Sequence, residues 1–423
     1  MGIEAMMNSN RTYGCGALVV FGTIMMGARL GGAELLPISG VNGDPNRVLV
    51  IGTNNVSKMI PIALKGFTGE TASVLKFDLE VQGFRLVTEP EARFVLRGKN
   101  NGGVEGALLD ANKAFYFNKT YQGGSTRMQA HTLSDDVVEA VHGISGIGRT
   151  KIMFREVTGK RAREIMVSDF DGHAKIALTN DNRLCGAPSW APGNRRVFYT
   201  SYMERNGIEN PTILSHDLGG GNRDVISRYR GLNTGATLAR DGRLAFVLSR
   251  DGSPDVYVAN PGWSSGADPK GEQLVRITRT REEVSSPTWS PDGQWLCFAT
   301  RIKGRPMLVR ASSRGGPMIR IPTVGVSRPS EPAWSPDGKW IAFTAPGGGF
   351  KICVVPANGG EATILAKGED PSWAPNSRTI LYTRRYSQGG VNKRGLALLD
   401  VPTKRVKLLS GFAGSASQAS WAN

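Results

Sequence analysis

The chain has 423 residues, 40% of them hydrophobic and 21% charged, with 54 glycines and 23 prolines. This balance excludes a disordered polyelectrolyte and a mainly helical protein, and the length exceeds one small core. Lys and Arg outnumber Asp and Glu by 52 to 36, a net +16, and residues 146–423 carry 39 basic against 23 acidic residues. The basic residues are scattered, so they serve solubility or attract a polyanion such as nucleic acid, anionic lipid or anionic glycan.

Residues 1–33 read as a secretory signal peptide. Arg11 supplies positive charge, an apolar run spans Gly14 to Ala28, and Gly31-Gly32-Ala33 offers small residues for cleavage. The run is short for a membrane span and Arg29 closes it. Cleavage after Ala33 makes Glu34 the first mature residue and an exported, soluble protein. Cys15 is wrongly placed for a lipoprotein. Cys185, Cys297 and Cys353 remain, an odd number that argues against a disulfide framework. Cys297 and Cys353 lie in apolar strand-like runs and read as small buried hydrophobes.

Residues 34–46 read as a flexible N-terminal segment and 47–145 as a small α/β domain. VLVIG and PIALKGF suggest strands. ETASVLKFDLEVQGF suggests a helix feeding RLV. FVLRGKN, VEGALLDA and KAFYFNKTY suggest a meander. In TRMQAHTLSDDVVEAVHG, Leu133, Val137, Val138 and Val141 recur at helical spacing.

Residues 146–423 repeat internally. PSWAPG, ATLARDG, PTWSPDG, PAWSPDG, PSWAPN and a truncated ASWAN align on Trp190, Leu238, Trp289, Trp334, Trp373 and Trp421. The spacings of 48, 51, 45, 39 and 48 residues are those of propeller blades. In each unit a Pro-x-Trp strand precedes a tight Ser-Pro-Asp-Gly turn, and three further strand-like runs follow. The Trp side chains are expected to fill the space between blades. Triplets of the later strands begin near Lys151, Val197, Leu244, Trp295, Trp340 and Thr379. The first triplet has no Trp strand before it, and the spare one lies at Trp421. The expected fold is therefore an all-β six-bladed propeller closed by its C-terminal strand, preceded by the α/β domain. Closure hides edges that an open array exposes.

No catalytic constellation emerges. Gly262-Trp263-Ser264-Ser265-Gly266 formally matches a hydrolase elbow but lacks the strand before and helix after that the elbow requires. The four histidines, 131, 142, 173 and 216, have no zinc-ligand spacing. The glycines at 146–148 and 219–221 do not continue as phosphate loops. The aspartates of the Ser-Pro-Asp-Gly turns read as stabilising their own turns. No cofactor and no resident metal are expected.

The Pro-x-Trp-Ser-Pro-Asp-Gly repeat is shared with propellers that accompany prolyl-oligopeptidase-like hydrolases. Here the repeat runs to the last residue, so no hydrolase domain is expected. The order of PIALKGF, IGRTKIMF, EIMVSDFDGH, APSWAPG, VFYTSY, RGLN, AFVLSRDGSPDVYVAN and SPTWSPDG resembles the TolB family of periplasmic Tol-Pal propeller proteins, over nearly all of 47–423. The sequence departs from that pattern at Leu238 and ARDG, so the third blade is expected to pack differently. The resemblance implies a periplasmic, monomeric scaffold rather than an enzyme, supporting outer-membrane integrity and constriction at division. It implies that the propeller docks the peptidoglycan-associated lipoprotein Pal. It also implies that the mature N-terminal segment, here Glu34, Leu35, Leu36 and Ile38, engages the inner-membrane protein TolA. No nucleic-acid partner is implied. The rival reading is a propeller that binds or acts on anionic envelope glycans.

Residues just before each Trp strand enter the innermost strand and are expected to line one mouth of the channel. They are Leu232, Asn233, Ser285, Ser286, Ser330, Glu331, Glu369, Asp370 and Gln418. Convergent polar groups in a concave mouth suit partner binding, and the resemblance places the Pal contacts in the corresponding loops.

Overall fold

The computed structural model of the chain describes residues 56–412 and 414–422. The VLVIG strand, the signal peptide, and Glu34, Leu35, Leu36 and Ile38 lie outside these residues.

The α/β domain begins with β1 (Ile60–Lys65), α1 (Gly69–Val81) and β2 (Phe84–Leu86). It continues with β3 (Phe94–Lys99), β4 (Val104–Asp110), β5 (Phe115–Tyr121) and α2 (Thr126–His142). The sheet order is β2-β1-β3-β4-β5; β1 pairs in parallel with β2 and β3, and the rest is antiparallel. Ser125 caps α2 by accepting the Met128 N–H, and Gly143 ends it at φ 67°. Leu133, Val137, Val138 and Val141 are buried against the sheet, as their spacing predicts. Leu133 packs so close to Gly106 that a side chain there would meet it at 2.6 Å.

Six four-stranded antiparallel blades follow. Their inner strands are Ala416–Trp421, Cys185–Trp190, Asn233–Leu238, Val284–Trp289, Ser330–Trp334 and Glu369–Trp373, for blades one to six. Blade one pairs the last strand with Lys151–Val157, and Arg163–Asp169 and Ile176–Ala177 complete it. This is the closure expected from the spare Trp strand.

The Trp anchors explain the ring. Trp190, Trp289 and Trp373 each send the indole N–H to a carbonyl on the preceding inner strand: Ser420, Thr237 and Ala333, at 2.9 to 3.1 Å. Trp421 donates to Thr150 Oγ1 at 2.8 Å. Trp190, Trp289 and Trp373 thus bury a large apolar area while the indole N–H stitches two blades together. Trp334 instead bonds the Gly338 carbonyl of its own turn. Leu238 has no such donor; there Ser189 Oγ reaches across to the Ala236 carbonyl at 2.5 Å. The seam of blades two and three therefore carries a serine bond where three other seams carry an indole bond.

The Ser-Pro-Asp-Gly turns are held by their own side chains. Asp292 Oδ1 accepts the Gln294 N–H at 3.0 Å, and Asp337 Oδ1 accepts the Lys339 N–H at 3.1 Å. Cys185, Cys297 and Cys353 are buried free thiols, and burial pushes the Cys353 thiol up to about 12.

The α/β domain seats on the Trp end of blades six and one. Val81 and Phe77 join an apolar cluster with Phe170, Leu381, Leu398 and Trp421. Charged contacts surround it: Lys407 meets Glu80 at 2.7 Å, and Arg378 bridges Asp400 to His142. Arg127 pairs with Asp171. The opposite end of the channel stays uncovered by this domain.

Candidate functional site: the channel mouth

Each inner strand carries one β-bulge, because the register with its neighbour slips near the start. The extra residue is left-handed in all six: Ala187, Gly235, Ser286, Glu331, Asp370 and Gln418, with φ between 47° and 64°. The bulge turns these residues into a ring around the mouth opposite the Trp end. Ser286, Glu331, Asp370 and Gln418 were anticipated for it. Ser285, Ser330 and Glu369 immediately precede bulge residues and sit beside them.

Leu232 and Asn233 do not occupy the equivalent place. The bulge of blade three lies two residues later, at Thr234-Gly235. Asn233 is fully buried. Its Nδ2 donates to the Tyr229 and Gly231 carbonyls at 2.8 and 3.0 Å. Its Oδ1 accepts from Ser227 Oγ and the Tyr229 N–H at 2.7 and 3.0 Å. Every polar atom of that side chain is spent on the loop it closes. Sequence reasoning also missed Ala187. Counting back three residues from each anchor finds Ala187, Gly235, Ser286, Glu331, Asp370 and Gln418 together.

The ring is lopsided. Blades two to four contribute the small, neutral Ala187, Gly235 and Ser286, whereas blades five, six and one contribute Glu331, Asp370 and Gln418. Glu331 Oε2 accepts the Asp370 N–H at 3.0 Å, and Gln418 Oε1 accepts the Ala187 N–H at 3.1 Å. Thr383 Oγ1 donates to Asp370 Oδ2 at 3.1 Å and accepts the Gln418 N–H at 3.1 Å. Burial, with the Glu331 and Glu369 carboxylates beside it, pushes the Asp370 carboxyl up to about 7. Glu369 is buried and sits between two guanidinium groups, Arg385 at 2.9 Å and Arg394 at 3.1 Å.

Two recesses open at the ends of the ring. One of about 240 Å³ opens at this mouth between blades four and five, lined by Ser285, Ala299, Ser330, Arg301, Arg328 and Phe350. A larger one of about 360 Å³ lies at the Trp end. There Trp190, Trp289 and Trp373 commit their indole N–H groups between blades.

Gly262 to Gly266 form part of a loop that plugs the seam of blades two and three. Trp263 is buried and donates to Asp268, and the Ser265 N–H bonds the Ile226 carbonyl. Ser264 Oγ meets only the Ala267 N–H, within its own turn. Among the described residues no group of three His, Cys, Asp or Glu side chains could hold a metal ion, and no helix is long and apolar enough to cross a membrane.

Residues 138–423 match the family described as the TolB beta propeller domain. The Tol-Pal system protein TolB of Bordetella pertussis is 29% identical over 298 residues, 69% of this chain and 64% of that protein. The TolB of Alcanivorax borkumensis is 30% identical over 167 residues, 37% of each chain. That of Actinobacillus succinogenes is 31% identical over 131 residues, 31% of this chain and 29% of that protein. These matches therefore span less than two thirds of the length of each relative. The crystal structure of TolB from Acinetobacter baumannii superposes with a TM-score of 0.73 at 21% identity, covering 87% of this chain and 98% of that one. That likeness extends the shared fold to the α/β domain.

Proposed function

This chain belongs to the TolB beta propeller family, and on that premise we propose that it is a periplasmic, non-enzymatic scaffold of the Tol-Pal system. In this reading the mouth ringed by the bulges docks a Pal-like peptidoglycan-associated lipoprotein. The segment around Glu34, Leu35, Leu36 and Ile38 engages a TolA-like inner-membrane protein. The complex supports outer-membrane integrity and constriction at division.

The observation that carries the docking site is the lopsided ring. Glu331, Glu369, Asp370 and Gln418 converge on one half of a concave mouth whose other half is small and open. Such a surface gives a docked loop both room and a fixed orientation. The α/β domain seats on the opposite end and leaves this mouth open.

Affinity capture of residues 34–423 from the envelope extract of the source organism tests this, with and without 34–46. Recovery of a peptidoglycan-binding lipoprotein by both forms supports the reading and separates the two contacts. Recovery of glycan with no protein partner contradicts it.

A further inference from the structure

The residue paired across from the start of each bulge forms a second ring, one step deeper on the adjacent strand. The registers place Arg155, Thr200, Val247, Ala299, Thr344 and Thr383 there, for blades one to six. Five of the six are small and neutral; Arg155 alone is charged.

The threonines have a structural task. Thr344 Oγ1 accepts the Asp370 N–H of the next blade at 3.1 Å, and Thr383 Oγ1 accepts the Gln418 N–H at 3.1 Å. Thr200 Oγ1 donates to Thr234 Oγ1 across the next seam at 3.1 Å. Arg155 does not perform this task. The N–H it would have to satisfy, that of Ala187, is taken by Gln418 Oε1 instead.

Arg155 is half-buried at the seam of blades one and two. Nη1 lies 3.6 Å from where a side chain on Gly186 would begin, and Nη2 donates to Ser417 Oγ at 3.0 Å. No carboxylate lies within salt-bridge distance of it among the described residues, although Glu369 holds Arg385 and Arg394 close by. Burial pulls the guanidinium below its ordinary value, and the more distant Asp370 only partly offsets this. The guanidinium spends one hydrogen bond on Ser417 and holds its charge at a partly desolvated position with no carboxylate beside it, where a threonine would serve the fold.

We propose that Arg155 is the anchor of the docking site, pairing with a carboxylate on a loop that the protein partner inserts into the mouth. The inference rests on the docking reading above. The small half of the ring, Ala187, Gly235 and Ser286, leaves room for the loop. The guanidinium then exchanges its poor environment for a charge-assisted bidentate pair.

Three forms of the mature chain test this by calorimetric titration against the recombinant soluble domain of the organism's peptidoglycan-associated lipoprotein. They are the unaltered chain, R155T and S285W, each also followed by thermal unfolding. R155T supplies the threonine found in blades two, five and six. The expected result is affinity weakened roughly 30-fold or more, a flatter salt dependence, and an unchanged or raised Tm. S285W, which fills the small side, should also abolish binding. If S285W blocks binding and R155T does not, the docking site stands and the anchor is overturned. If R155T lowers Tm and affinity together, Arg155 is a structural residue and the proposal falls. If neither substitution changes affinity, the docking reading itself fails and takes the anchor with it.

Discussion

The Gln418 side chain accepts the Ala187 N–H at 3.1 Å, joining residues 231 positions apart at the seam where the ring closes. Elsewhere a threonine on the adjacent strand can do this, as Thr344 does for Asp370. Here that position is Arg155, so the carboxamide of the last strand takes over. Q418A leaves the Ala187 N–H without this partner and should cost about 1–2 kcal/mol. Urea unfolding measures it, and Q418E should restore part of the loss because its side chain still accepts.

Asp370 makes stability depend on pH. Its carboxyl is raised from 3.8 to about 7, so between those values the folded form binds a proton that the unfolded form has released. The stability linked to that proton is therefore complete below about pH 4 and lost as pH climbs through about 7. D370N keeps an acceptor for Thr383 without the charge. It should be more stable than the unaltered chain at pH 8, by about 1–3 kcal/mol, and equal to it near pH 4. Parallel unfolding curves at the two pH values would show a gap that closes.

Asn233 braces blade three. N233A strands two carbonyls, an amide N–H and a hydroxyl in a buried loop, at about 2–4 kcal/mol. The loss should appear in unfolding. Partner affinity at a temperature where the variant remains folded should stay close to normal, because the side chain does not reach the mouth.

The joint between the domains depends on Arg378. Its Nε meets Asp400 Oδ1 at 2.5 Å and its Nη1 lies 3.2 Å from His142 Nδ1, while Asp400 is almost wholly buried. R378A leaves that carboxylate without its cation, at about 3–5 kcal/mol. Calorimetry should show a lower Tm, because the unpaired carboxylate sits in blade six and the α/β domain loses its contact through His142. A single cooperative transition with unchanged Tm would refute this assignment.

Much of the fold was legible in the sequence because a propeller repeats its physics. Anchors at 39- to 51-residue intervals, Trp at five of six positions, fix the inner strands, and the unmatched Trp421 fixes the closure. Leu133 to Val141 announce α2 by period alone. The mouth was harder. Glu331, Asp370 and Gln418 were legible because they precede anchors, but Leu232 and Asn233 misled because Leu238 replaces the Trp from which one counts. Arg155 was invisible: its role depends on cross-strand register, and neither composition nor spacing marks which side of a strand faces the channel.

The most direct measurement is hydrogen exchange of the mature chain with and without its captured lipoprotein partner. Protection should be confined to the pre-anchor segments of the inner strands, residues 184–188, 233–236, 284–287, 329–332, 368–371 and 415–419, with none at the Trp end. Protection confined to the Trp end or to the α/β domain, with these segments exchanging as in the free protein, would contradict docking at the mouth.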